Sequence, residues 1–161
     1  MKTITIPKGQ ILQSTGELST KMYFVKSGLL RSYSIDEKGR EHIFMFAPRD
    51  WVMADNVPPD QPGELFIDAL EDSEAVVLLK EEEDMANPAK LLKRLRTLQK
   101  RVIMLMSASA IERYEHFVAT YPDIVQRVPQ RMIASYLGIT PEALSKVKGD
   151  RKRAIRNKGK S

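Results

Sequence analysis

Apolar and polar residues alternate with a period near two through the first half of the chain and near 3.6 through the second. The short alternating or β-branched runs at 3–6, 22–25, 29–35, 42–46, 65–70 and 75–79 predict strands. Turn residues separate them: Pro7-Lys-Gly9, Ser27-Gly28, the charged connection Asp36-Glu-Lys-Gly39 and the Pro-rich stretch at 57–63. Many short strands with regular turn signals argue for a sandwich or jelly roll over a sheet with helical crossovers. From Lys80 the pattern predicts a short acidic helix to Met85, then an Asn87 cap and one long helix at roughly 88–119. Within it Leu91, Leu95, Leu98, Val102, Leu105 and Ser109 follow the 4-3-4 spacing of a seam between two helices. Leu92, Ile103, Met104 and Met106 widen that stripe, while Lys90, Lys93, Arg94, Arg96, Lys100 and Arg101 line the remaining faces.

After Tyr121-Pro122, the spacing of Met132, Ile133, Tyr136 and Leu137 predicts a short helix opened by Pro129 as its first residue and closed by Gly138. Thr140-Pro141-Glu142 then supplies a capping hydroxyl, a proline pre-set for the first turn and a dipole-complementing acid. Leu144 and Val147 face inward on this second helix, and Gly149 is read as its stop. Two short helices on a tight glycine turn form a helix-turn-helix pattern, or a hairpin that only packs.

Charge favours the first reading. Residues 127–161 hold ten basic residues against Glu142 and Asp150, hence +8. The whole chain carries +5, so residues 1–126 carry −3. A neutral-to-acidic body with a basic end is the footprint of phosphate-backbone binding. The absence of cysteine excludes disulfides and thiolate metal sites, and His42 and His116 are too far apart in sequence to suggest a histidine-rich centre, so no metal or cofactor is expected. No run is long enough to span a bilayer and the first residues do not open a signal peptide, so the expected location is cytoplasmic, without a membrane partner.

The order of parts resembles the CRP/FNR family of bacterial transcription regulators. The most specific pieces are residues 22–31, similar to the family's roll strand pair; Ala69-Leu-Glu-Asp-Ser73; and the helix pair at 133–148. The run from Arg113-Tyr-Glu-His-Phe117 to Glu142 is similar to the branch found in Bacteroidetes-type bacteria. The resemblance implies an α+β chain: a cyclic-nucleotide-binding-like double-stranded β-helix (jelly-roll) sensor domain at 1–86, a long dimerisation helix at 87–120, and a helix-turn-helix domain with a basic tail at 121–161. It further implies a homodimer joined at Leu91, Leu95, Leu98, Val102 and Leu105, double-stranded DNA and RNA polymerase as partners, and a small-molecule effector, which in many members is cyclic AMP. Glu142-Ala-Leu-Ser-Lys146 is similar to the family's Glu-x-x-Ser-Arg recognition pattern, with lysine replacing arginine. The expected DNA-contacting residues are Arg131, Thr140, Pro141, Glu142, Ser145, Lys146, Lys148, Arg151, Lys152 and Arg153.

The chain also departs from the family. The cyclic-nucleotide cassette places Arg-Ser or Arg-Thr before the Ala-Leu-Glu-Asp motif, where this chain has Gly63 and Glu64. A phosphate needs a cation or an array of N–H donors, so the expectation is a regulator that does not depend on cyclic AMP. Phe44, Phe46, Trp51 and Phe66 are read as the roll's interior. Little chain remains after the second helix for the family's wing hairpin, and strand-like sequence starts too early for its N-terminal helix. A competing reading is a sensory roll that acts through a protein partner and binds nucleic acid only non-specifically. An enzyme of the cupin kind would need clustered ligands on neighbouring strands, whereas the roll offers only His42; the chain is therefore read as a non-enzyme.

Overall fold

The alternating segments pair into two four-stranded antiparallel sheets in the computed structural model, which describes residues 2–80 and 88–158. One sheet runs β1 (Lys2–Ile6), β8 (Ser73–Leu79), β3 (Lys21–Ser27), β6 (Val52–Met53). The other runs β2 (Ile11–Gln13), β7 (Phe66–Ala69), β4 (Leu29–Ile35), β5 (Glu41–Pro48). Together they make a jelly-roll-like sandwich within the first of two compact units, Met1–Arg94 and Leu95–Ser161. Val25, Leu30, Ala47, Met53, Ile67 and Ala75 are at its centre, each wholly buried. β2 and β6 are too short to show a period of their own. Pairing with β7 and β3 is what makes them strands.

The second face of the β7–β4–β5 sheet is also largely closed off from water. Strand register sets Arg31 opposite Phe46 and Asp68, and Tyr33 opposite Phe66, whereas Leu30 and Ser32, one position out of phase, pair with the core residues Ala47 and Ile67. Phe46 and Phe66 therefore lie on the face away from the core, not in the roll's interior as their hydrophobicity suggests. Trp51 does pack against the core. Tyr33 and Phe66 stack at 5.4 Å. The buried Arg31 donates to both carboxylate oxygens of Asp68 at 2.8 and 2.9 Å, pairs with Glu41, and lies 4.1 Å over the Tyr33 ring.

Gly28 joins β3 to β4 at φ +85°, and a Cβ there would lie 2.6 Å from the Asp72 carbonyl oxygen and 2.7 Å from Ser73 Cα. Both the left-handed backbone and that close approach exclude a side chain. Gly28→Ala should cost more than about 2 kcal/mol. Gly39→Ala, at φ +73° with nothing within 4 Å, should cost only about 1–2 kcal/mol. Urea melts of the two variants check the difference.

The helical half contains α1 (Pro88–Ser107), α2 (Ala110–Thr120), a 3₁₀ turn (Ile124–Gln126), α3 (Gln130–Leu137) and α4 (Pro141–Lys158). The single helix expected over 88–119 is two. Ser109 caps α2, accepting from the Glu112 N–H while the Glu112 carboxylate accepts from the Ser109 N–H, a complete capping box. That exchange satisfies the donors of a new helix start, so Ser109 is a cap and not a seam residue. Pro129 sits one place earlier than expected, at the N-cap of α3 in an extended conformation. Gly149 does not stop α4, which continues to Lys158. Ion pairs from Asp150 to Arg153 and from Arg151 to Glu115 brace the turns that follow it. The acidic helix and Asn87 cap expected around 80–87 fall, apart from Lys80, outside the described residues. Among the described residues no helix is long and apolar enough to cross a membrane.

Candidate nucleic-acid interface and effector cradle

In the second unit, three aromatic rings fix the position of the α3–α4 pair. Phe117 and Tyr121 from the end of α2 meet Tyr136 of α3 with ring centroids 5.3–5.7 Å apart, and the Arg101 guanidinium lies 4.2 Å over Tyr136. Ile133, Leu137 and Leu144 are completely buried, so α3 and α4 lock together through their apolar stripes. Gly138 closes α3 in the left-handed conformation at φ 64°, and its N–H returns to the Ala134 and Ser135 carbonyls. Two residues later the Thr140 hydroxyl accepts from the Ala143 N–H at 3.2 Å and opens α4.

Sequence reasoning missed Arg113. Its guanidinium donates to the carbonyls of Leu105 near the end of α1, Ala108 in the connection and Leu137 at the end of α3. One cation thus serves the negative ends of two helices. Nothing local in the sequence marks it, because its partners lie up to 24 residues away.

The arrangement leaves Pro141, Glu142, Ser145 and Lys146 exposed along the first two turns of α4, while Leu144 and Val147 turn inward. Arg131 is exposed on α3, Lys148 is half-buried and Lys152 is exposed. Arg151 and Arg153 are engaged within the chain. Arg151 bonds Glu115 at 2.9 Å and Arg153 bonds Asp150 at 2.7 Å. Chemically, the exposed face offers a carboxylate acceptor, a hydroxyl and an ammonium donor within five residues of a helix N-terminus, with further cations towards its C-terminal end.

On α1, Leu95 and Val102 are more than half exposed and Leu91 and Leu98 each 38% exposed, while Leu105 is half-buried. They form an apolar stripe that this single chain leaves open to water.

A second polar constellation lies in the first unit, where the loop after β6 returns to β7. One carboxylate oxygen of the buried Asp55 accepts from the Glu64 N–H at 2.7 Å, the Leu65 N–H at 2.8 Å and the Gln13 side-chain amide at 3.2 Å. Gln13 in turn accepts from Ser19, and the Lys80 ammonium donates to Ser19 and to the Val57 carbonyl. Burial pushes the Lys80 pKa down, and the Asp55 charge pulls it partly back. Gly63 is buried beside this chain of contacts, and a Cβ there would meet the Gln13 amide at 2.5 Å. Glu64 itself is exposed; what it contributes inside is its backbone N–H. Two successive N–H groups make an anion cradle, and here the protein's own carboxylate occupies it. The sequence does not reveal this, because Asp55 and Gln13 are 42 residues apart. Among the described residues no group of side chains could hold a metal ion.

Residues 3–83 match the model of the cyclic nucleotide-binding domain. No curated protein matches the chain at a significant level. Among solved structures, FixK2 from Bradyrhizobium japonicum superposes with a TM-score of 0.77 at 19% identity, covering 95% of this chain and 85% of its own. A CRP/FNR-family transcriptional regulator from Thermus thermophilus gives 0.70 at 19% identity, covering 95% and 87%. The c-di-GMP-responsive global regulator CLP of Xanthomonas campestris gives 0.68 at 12% identity, with the same two coverages.

Proposed function

Because the chain belongs to the cyclic nucleotide-binding domain family, we propose that it is a sequence-specific DNA-binding transcriptional regulator of the CRP/FNR type, acting as a homodimer and without cyclic AMP. The observation that carries this reading is the exposed face of α4, set on a tight turn after α3. Glu142 is suited to accept from a cytosine N4 amine, Lys146 to donate to guanine N7 and O6, and Ser145 to do either. Arg131, Thr140 and Pro141 stand beside them, and Lys148, Arg151, Lys152 and Arg153 supply charge for the phosphate backbone. Lysine lacks arginine's planar fork, so discrimination at its base is less strict. The run from Arg113 to Glu142 supports placing the chain in the branch found in Bacteroidetes-type bacteria. RNA polymerase and a small-molecule effector are further partners of this reading, and the cytoplasm is its location.

Selection of bound duplexes from a random pool tests the assignment. An enriched palindrome supports the regulator, whereas uniform, salt-sensitive binding supports a sensor acting through a protein partner. Glu142→Ala should relax base preference at one symmetric pair of positions and cost roughly 1–3 kcal/mol on the selected site. Lys152→Ala should weaken all duplexes alike and flatten the salt dependence. If Glu142→Ala leaves the selected consensus unchanged, α4 does not read bases with this face.

Independence from cyclic AMP rests on the cradle. A phosphate brought to the Glu64 and Leu65 N–H groups would have to displace the Asp55 carboxylate, which already accepts from both. Isothermal titration of the purified chain with cyclic AMP should show no binding in the micromolar range. Micromolar affinity would overturn this part of the proposal and leave the DNA-reading part standing.

A further inference from the structure

At the open end of the roll, inward-pointing side chains continue beyond the packed core. Strand register aligns Lys2, Val77 and Tyr23 in one row across β1, β8 and β3, and Leu79 with Lys21 in the next. Tyr23 belongs to the core and Val77 packs against it. By the alternation of strands, Lys2, Lys21 and Leu79 therefore point to the same inner face. With Gln10, Ile11 and Leu12 they border a cavity of about 890 Å³, within the range of roughly 300–1,000 Å³ typical of small-molecule pockets.

The lining chemistry is narrow. Ile4, Leu12, Val77 and Leu79 supply aliphatic surface, and Leu79 at 69% and Ile11 at 56% exposure leave much of theirs in water. Among the described residues the lining contains two lysines and no carboxylate. The Tyr23 hydroxyl is already committed, donating to the Leu12 carbonyl at 3.2 Å. Glu17, close enough to raise the Tyr23 pKa after burial has done so, is not in the lining, and its carboxylate accepts from the Ser14 N–H. An apolar chain ending in one negative charge matches what is present: the lysine stems run along aliphatic surface and keep their ammonium groups at the rim.

We propose that this cavity binds a medium- to long-chain acyl carboxylate, its chain against Ile4, Leu12, Val77 and Leu79 and its carboxylate drawn to Lys2 and Lys21. The site belongs to the β unit alone and stands whether or not α4 reads DNA. Calorimetric titration of the full chain with dodecanoate, below its micelle concentration, should give saturable binding of one molecule per chain. Decanoate, shorter by two methylenes, should bind roughly fifteenfold more weakly. Dodecyltrimethylammonium, with a similar tail and the opposite charge, should not saturate. Lys21→Glu and Leu79→Asp alter exposed residues and should leave the urea midpoint unchanged, yet each should weaken dodecanoate at least tenfold. Failure of dodecanoate to saturate, equal binding of the cationic amphiphile, or wild-type affinity in both variants would each overturn the proposal.

Discussion

Replacing Arg31 by methionine should destabilise the β unit by about 3–5 kcal/mol, because it leaves the Asp68 carboxylate buried without its bidentate partner. Length and apolar volume are nearly kept, so the loss reflects charge and not a cavity. The single tryptophan, Trp51, lies in this unit and reports its unfolding separately from the helical unit. Removing the stranded charge as well, in Arg31→Met with Asp68→Leu, should recover most of the loss, since a buried pair replaced by apolar residues is often neutral. A double variant no more stable than the single one would show that Arg31 acts by packing on Tyr33, 4.1 Å away, and not by neutralising Asp68.

Leu98→Glu should have the other large effect. In the proposed homodimer this position faces its own copy, so the change buries two like charges and should weaken association on the order of a hundredfold or more. Light scattering at micromolar concentration should then report a monomer. Specific DNA affinity should fall with it, because two recognition helices must reach successive major-groove faces about 34 Å apart. A variant that remains dimeric would place the interface elsewhere.

Much of the architecture is legible in local pattern. Period-two runs mark six of the eight strands, and the Gly138 turn with its Thr140 cap appears in the structure where the sequence puts it. The misreadings have definite physical causes. Ser109-Ala-Ile-Glu112 carries the spacing of a capping box, but the heptad pattern runs straight through it and masks the break. Gly149 is tolerated inside α4 because side chains in the turns that follow it are paired, one of them to Glu115 on another helix. Interior polar chemistry is the least legible of all. Arg31 with Asp68, Gln13 with Asp55 and Lys80 with Ser19 meet across 37, 42 and 61 residues. Composition counts such groups as surface, and only the closing of the sheets reveals them as partners.

The sheet edges carry one further consequence. β6 is two residues long, and β2 is three with an irregular register. β5 bulges opposite the Ser32–Tyr33 step and ends in Pro48, and β1 begins at Lys2 and runs into Pro7. Each edge is thus short, irregular or bordered by residues that discourage a neighbouring strand. A crowded cell therefore finds in this roll little template for fibrous growth: copies that collide strand to strand meet short or interrupted ladders, and in the proposed homodimer lasting association is left to the helices.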